Sequence, residues 1–320
     1  MKYFNIKGTD LKSSCISIGA ICAVEGDTDF AFRMLDIYRE HGGNIIDSAN
    51  VYGKWFSAGT NICDANIGKW LRSRGCRDSF IVTTKGGHPP LDDHTQSRLN
   101  KADVLYDVDE CLTALGTDHI DLFYLHRDYE SIPAGEIIEY LNDFVKSGKL
   151  RYFGCSNWNP DRIAEANDYA CEHGLLGFVA NQLLWSMAIA NMNHYPVPGC
   201  KNMDDKTFSY HKKTGLSAFA YASQAGGYFT KLSAVDTKPI SDDMKIFYGH
   251  SENIKRFDRA VALCEKLNLP LSSIVLAYLT SQPFPTSAII GSYTEEKLLD
   301  SLRAADLTLS PDDLAFLVQG

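Results

Sequence analysis

Three strand-like runs in this chain end on ionisable residues. Asn44-Ile45-Ile46 leads into Asp47, Phe80-Ile81-Val82-Thr83-Thr84 into Lys85, and Asp121-Leu122-Phe123-Tyr124-Leu125 into His126, with Tyr52 shortly after the first. Neighbouring parallel strands lie about 4.8 Å apart. If the three runs are neighbours, their C-terminal ends gather a carboxylate, an ammonium, an imidazole and a phenol at one sheet edge. Such a set transfers protons. A phenol, with a reference pKa of about 10, is a poor acid at neutral pH. A lysine cation beside it stabilises the phenolate and is expected to lower that pKa. An aspartate against the lysine keeps it charged and in place, and a histidine can orient a carbonyl by hydrogen bonding. Taken singly these residues are ordinary, since an Asp–Lys pair can plug a barrel rim and buried Tyr or His groups often only satisfy the core. Four at successive strand ends favour chemistry.

The elements that must position them alternate along the chain. A hairpin is expected at Tyr3-Phe4-Asn5-Ile6 with its turn at Gly8-Thr9-Asp10, then strands near 16–19, 44–47, 80–84, 120–125, 151–155, 178–182, 216–220 and 287–290. Apolar spacing of helical period predicts helices at 28–40, 102–115, 132–147, 160–173, 252–267 and 294–305, with an extra helix at 272–281 and a C-terminal one at 311–318. Strands that each lead into a helical segment, in this number, predict a (β/α)8 TIM barrel with an N-terminal β-hairpin, a fold of about 250 residues in its usual form. The excess length falls in the hairpin, the 186–205 and 222–251 stretches and the tail. With no linker-like gap, 1–320 reads as a single domain. A doubly wound open sheet is the rival, but the run from Gly19 to Gly26 lacks the G-x-G-x-x-G turn such a fold usually carries.

Composition narrows the partners. Of 320 residues 45% are hydrophobic and 22% charged, as expected for a globular protein. The net charge of −9 argues against nucleic acid and anionic lipid. No apolar run reaches the roughly 18 residues of a membrane span, and Met1-Lys2-Tyr3-Phe4-Asn5 lacks a signal peptide's apolar core. The nine cysteines form no C-x-x-C pair and several sit in apolar runs, so reduced, buried thiols and a cytoplasmic location are expected.

At these residues the chain resembles the aldo-keto reductase superfamily. The matching text is Asn44-Ile45-Ile46-Asp47-Ser48-Ala49-Asn50-Val51-Tyr52-Gly53, Thr83-Thr84-Lys85-Gly86-Gly87 and Asp121-Leu122-Phe123-Tyr124-Leu125-His126. Gly154-Cys155-Ser156-Asn157, Asn181-Gln182, Ala220-Tyr221-Ala222-Ser223 and Ile290-Gly291-Ser292 follow in the family's order. The resemblance covers essentially the whole chain. It implies a barrel that reduces an aldehyde, ketone or sugar with a nicotinamide cofactor. Tyr52 becomes the proton donor, Lys85 and Asp47 its tuners, and His126 the carbonyl orienter. Ser156, Asn157 and Gln182 become the carboxamide site, and Tyr221 the ring that stacks on the nicotinamide.

In the family a segment after the last strand holds the adenosine phosphate, and here Gly291, Ser292 and Lys297 fall in it. Ser292 and the first amides of the following helix suit an anion. Gly291 stands where many members carry lysine, and Lys297 where arginine is frequent; an ammonium cannot form a fork of paired bonds. NADP(H) is favoured by the resemblance and NAD(H) remains possible, with Lys297 the segment's only cation. Gln224 and Gly226 lie in the loop after the seventh barrel strand, where Gly226-Gly227 allow close approach to a diphosphate. Trp55, His88, Arg127 and Trp185, with Phe56, fall in loops past strand ends and are expected to line a pocket for a small-molecule carbonyl or alcohol.

Two other functions fit part of the pattern. Lys85 at a strand end could form a Schiff base in a lyase, though Ser156, Asn157, Gln182 and Tyr221 would go unexplained. A nicotinamide-binding regulatory subunit without turnover would not need the intact four-residue set. A metal site is not expected, because neither H-x-H nor H-x-x-E-H occurs.

Overall fold

The computed structural model describes residues 1–57, 59–233 and 239–319. Two short strands, β1 (Tyr3–Asn5) and β2 (Lys12–Ser14), pair antiparallel as the expected hairpin. Eight more follow: β3 (Ile16–Gly19), β4 (Ile45–Asp47), β5 (Ile81–Gly86), β6 (Ile120–Leu125), β7 (Leu150–Ser156), β8 (Ala180–Leu184), β9 (Ser217–Tyr221) and β10 (Thr286–Ile290). They pair in parallel in chain order, and β10 returns to β3, so the sheet closes into a (β/α)8 barrel. The sixth expected barrel strand, 178–182, is displaced by two residues, which puts Gln182 in the middle of β8.

The helices are α1 (Asp29–Glu40), α2 (Ile62–Arg74), α3 (Lys101–Leu115), α4 (Ala134–Lys146), α5 (Pro160–Glu172), α6 (Asp205–Thr214), α7 (Tyr228–Leu232), α8 (Asp242–Tyr248), α9 (Ser251–Leu267), α10 (Leu271–Thr280), α11 (Glu295–Leu302) and α12 (Pro311–Gln319). Of these, α2, α6, α7 and α8 are absent from the sequence reading. In α2 the buried face includes Asp64, Asn66 and Gly68, which interrupt the apolar spacing. Gly68 lies against α3, where an added Cβ would sit 2.2 Å from Leu115 O.

Strand residues alternate between two apolar layers. Outward-facing Ile46, Val82 and Phe123 join the core under the helices. Ile45, Ile81, Leu122, Phe219 and Ile289 point inward and pack with Ile6 and Leu11 of the hairpin. Both hairpin side chains are buried, and burial of each contributes about 1.5–3 kcal/mol. The hairpin therefore closes the N-terminal end of the barrel. Residues an even number further along each strand face inward toward the other end, and Asp47, two beyond Ile45, and Lys85, four beyond Ile81, are among them.

No single helix among the described residues is long and apolar enough to cross a membrane. The nine cysteines are free thiols, and Cys15, Cys22, Cys63, Cys76, Cys111 and Cys155 are buried, as the apolar runs around several of them suggest.

Candidate active site

Asp47 ends β4 and Lys85 lies on the adjacent β5, so pairing of the two strands brings them together. Both are buried, at 4% and 1% exposure. Lys85 Nζ donates to Asp47 Oδ2 at 2.7 Å, to Ser48 O at 2.7 Å and to the Tyr52 hydroxyl at 3.3 Å. Asp47 Oδ1 accepts from Thr83 Oγ1 at 2.9 Å and from Gln182 Nε2 at 2.8 Å. Burial works against the Lys85 cation, but Asp47 and Tyr52 outweigh it and the pKa is raised. Lys85 is an ammonium with its three N–H groups engaged.

Tyr52 departs from the sequence expectation. Burial drives its pKa up, Lys85 pulls it down, and Asp47 pushes it up again, so the net direction is upward. The cation offsets the cost of burying the phenol without lowering the pKa below its ordinary value.

His126 continues from β6. Burial, Arg127, His88 and Lys85 all hold its pKa well below the usual imidazole range, so the ring is neutral. It meets Tyr52 edge-on, ring centroids 6.0 Å apart, and its buried Nδ1 has no hydrogen-bond partner among the described residues. His88 packs on it at 4.7 Å, and burial lowers the His88 pKa to about 4. The exposed Trp55 meets the Tyr52 ring edge-on at 6.3 Å, and Phe56 meets Trp55 at 5.9 Å. Arg127 is buried beside His126, its Nη1 donating to His126 O at 2.8 Å.

Trp185 is the exception among the expected pocket residues. Its indole is buried among Phe208, Tyr278 and Phe284, stacked on the last at 5.8 Å. It is a core group between the barrel and the outer helices, because the strand-end register turns its side chain outward.

The expected cofactor residues also converge. Ser156 and Asn157, at the end of β7, are next to Gln182 through the β7–β8 pairing. Asn157 has a left-handed φ of 63°. Its Nδ2 donates to Ser156 Oγ at 3.0 Å and His126 O at 3.3 Å, while its Oδ1 accepts from the Tyr221 hydroxyl at 2.8 Å and Lys201 N at 3.0 Å. Among the described residues the Ser156 hydroxyl donates to no protein group and Gln182 Oε1 accepts from none. That leaves a donor and an acceptor beside the half-buried Tyr221 ring, a set that complements a primary carboxamide. Further along the rim, Gln224 Nε2 donates to Ser301 Oγ at 3.2 Å. Gly226 and Gly227 both have positive φ, 63° and 80°. Ser292 is buried at the end of β10, and Gly291 and Lys297 are exposed. Thr294 caps α11, its side chain accepting from Lys297 N.

Three features were invisible in the sequence. Arg33 on α1 forms a paired contact with Glu295 at 3.3 and 3.4 Å, so Lys297 is not the only cation near α11. Tyr195 and Cys200, from the long stretch after β8, reach the mouth: Cys200 acts electrostatically on the Tyr221 phenol, and Tyr52 and Arg127 both act on the Tyr195 phenol. A strut holds the Tyr52 turn from outside. Glu110 Oε2 on α3 accepts from Lys54 Nζ at 2.7 Å and Asn50 Nδ2 at 2.9 Å, and Lys54 also donates to Asn50 Oδ1 at 2.8 Å.

A profile of the aldo/keto reductase family matches residues 19–319. The chain is 33% identical to norsolorinic acid reductase B of Dothistroma septosporum, over 89% of this chain and 70% of that protein. It is 27% identical to aryl-alcohol dehydrogenase [NADP(+)] of Phanerodontia chrysosporium, over 91% and 76%. To the uncharacterized oxidoreductase YrpG of Bacillus subtilis it is 26% identical, over 99% and 95%.

Proposed function

The chain belongs to the aldo/keto reductase family, and from that premise we propose that it reduces a carbonyl to an alcohol with a nicotinamide cofactor, Tyr52 giving the proton. The observation that carries this reading is the buried Lys85 ammonium, placed 2.7 Å from Asp47 and 3.3 Å from the Tyr52 hydroxyl at the barrel mouth.

A reduced nicotinamide, when bound, supplies the hydride. Ser156 and Gln182 would hold its carboxamide, and Tyr221 its ring. The chain's own residues handle the oxygen. Tyr52 donates its proton as charge develops there, and Lys85 stabilises the phenolate that remains. Asp47 keeps Lys85 charged and aimed. The neutral His126 can give one N–H to the carbonyl oxygen and fix its position. An ammonium with its N–H groups engaged has no lone pair for Schiff-base chemistry, which counts against a lyase. The aryl-alcohol dehydrogenase and norsolorinic acid reductase among the relatives, with Trp55 and Phe56 beside Tyr52, favour an aromatic carbonyl. NADPH is the cofactor we favour, after the relative named for NADP(+).

Fluorescence titration with NADPH and NADH, then turnover of a mixed panel of aldehydes and ketones, tests the proposal. Cofactor binding with oxidation dependent on an added carbonyl is the expected result. Binding without turnover of any carbonyl would move the protein to a regulatory, cofactor-sensing role.

A further inference from the structure

One charge at the mouth has no part in reducing a plain aldehyde. Arg127 is 8% exposed, and apart from the Nη1 bond to His126 O its guanidinium has no hydrogen-bond partner among the described residues. No carboxylate among those residues lies within 4.0 Å of it. The next acid in the chain, Asp128, faces Arg162 at 3.5 Å instead. The contrast with Arg162 is instructive. That side chain, 7% exposed, has two carboxylates, Asp128 and Glu165. Buried side chains that carry a charge are normally paired, whereas the Nε and Nη2 of Arg127 have no protein partner among the described residues and stay open to solvent, where a ligand can reach them.

The location says what the missing counter-charge belongs to. Arg127 is anchored on the carbonyl of His126, and its stem runs against the loop after β8, where a Cβ at Gly199 would lie 3.4 Å from Arg127 Cδ. Its charge acts on His88 and His126 on one side and on Tyr195 and Tyr221 on the other. These groups ring the space in front of Tyr52. Lys85 is balanced by Asp47, and both histidines are neutral, so Arg127 leaves the mouth with an excess of positive charge. A guanidinium's planar fork matches two oxygens of a carboxylate or phosphate.

We propose that Arg127 selects carbonyl substrates bearing an anionic oxygen group, carboxylate or phosphate, which it pairs with while the carbonyl meets Tyr52 and His126. This rests on the carbonyl-reductase reading above and adds the substrate's charge to it.

Matched substrates test it. For 4-carboxybenzaldehyde against its methyl ester, the wild-type ratio of kcat/KM should favour the carboxylate by at least about tenfold, mainly through KM. In Arg127→Met the ratio should collapse toward one, and Arg127→Lys should restore part of it. A second pair, glyceraldehyde 3-phosphate against glyceraldehyde, separates phosphate from carboxylate recognition; preference for either anion supports the assignment. A wild-type ratio near one for both pairs overturns it, as does a ratio that survives in Arg127→Met. Titration with NADPH covers the other source of anionic oxygen. If Arg127→Met weakens cofactor binding as much as it weakens the anionic aldehyde, the guanidinium reads the cofactor and the proposal fails. Binding is also followed without turnover, by calorimetry with 4-carboxybenzaldehyde and its ester. Absence of turnover with every aldehyde removes the reductase reading, while tighter carboxylate binding by wild type than by Arg127→Met still decides the role of Arg127.

Discussion

The two ends of the barrel each bury a carboxylate against cations, and they use it differently. At the hairpin end Asp121, 2% exposed, takes Arg77 at 2.8 Å, Arg151 at 2.7 Å and the amide of Val82 at 2.9 Å. Arg151 then clamps Asp10 of the hairpin turn at 2.9 Å through both carboxylate oxygens. An open cavity of about 860 Å³ lies here, lined by residues that include Asp10, His119, Arg151 and Tyr152. Every oxygen of Asp121 is answered, and the arginines keep part of their surface in water. At the mouth Asp47 is also fully bonded, but near it Tyr124 OH and His126 Nδ1 are buried with no partner among the described residues. The network around Asp121 completes its hydrogen bonds, whereas the one around Asp47 keeps capacity in reserve, as the proposed contact with a substrate carbonyl requires.

The largest effect should come from breaking the mouth. Tyr52→Phe should lower kcat by at least about a hundredfold, the scale of a lost general acid, and leave cofactor titration nearly unchanged. Because the Tyr52 pKa is raised, its proton is present throughout the neutral range. Reduction should therefore stay flat with pH until above about 10, and the neutral His126 adds no limb between pH 6 and 8. Lys85→Met should be almost as damaging, since the phenolate then has no cation. Turnover of Tyr52→Phe within a few-fold of wild type would remove the phenol from the mechanism.

The hairpin end should show the opposite profile. Asp121→Asn removes the charge that two arginines and one amide address, a loss of about 2 kcal/mol on the scale of charged hydrogen bonds. Chemical denaturation should register it, with kcat almost unaffected. A fall in kcat without a fall in stability would mean that the two ends are coupled and the comparison is misplaced.

How much of this was legible in the sequence depended on whether the signal ran along the chain or across it. Strand ends on Asp47, Lys85 and His126 were legible because the period of a parallel strand and the barrel's order fix their neighbours. The hairpin was legible from its turn at Gly8-Thr9-Asp10, but its closure of the barrel was not, because that depends on Ile6 and Leu11 packing against strand residues distant in the chain. Helix α2 was not, because Asp64 and Asn66 are buried by partners on other elements: Asp64 bonds to Asn61 and Thr84, and Asn66 to the carbonyls of Cys22 and Val24. Trp185 was placed on the wrong side of its strand end, since one residue of register exchanges cavity for core. The direction of the Tyr52 pKa required burial and the Lys85–Asp47 balance together, which residue types alone do not supply.

The strut on Glu110 lies between the two regimes, structural in form but attached to the turn that carries Tyr52. Glu110→Ala frees both Lys54 and Asn50, and small displacements of a reacting group are costly in rate. A drop of about tenfold in kcat is expected, with KM changing less, and Glu110→Gln should recover part of it by retaining an acceptor oxygen. A lower melting temperature with kcat intact would make the strut a fold element like Asp121.

The smallest effect concerns the rim beyond the mouth, where the cations are exposed. With Ser292, the capped start of α11 and two cations nearby, NADPH should be preferred over NADH by about tenfold, or about 1.4 kcal/mol. Lys297→Ala alone should reduce that preference only about threefold. Arg33, held at α11 by Glu295, still supplies positive charge there, and an exposed ion pair contributes only about 0.2–1 kcal/mol. The double variant Arg33→Ala/Lys297→Ala should abolish most of the preference. Raising ionic strength should shrink it in the wild type, because exposed charges are screened within about 10 Å at 0.1 M salt. NADH affinity should hardly move in any of these variants. Equal loss of NADH and NADPH binding in Lys297→Ala would assign the side chain to the shape of α11, and the reading of the cofactor's phosphate would then pass to other residues.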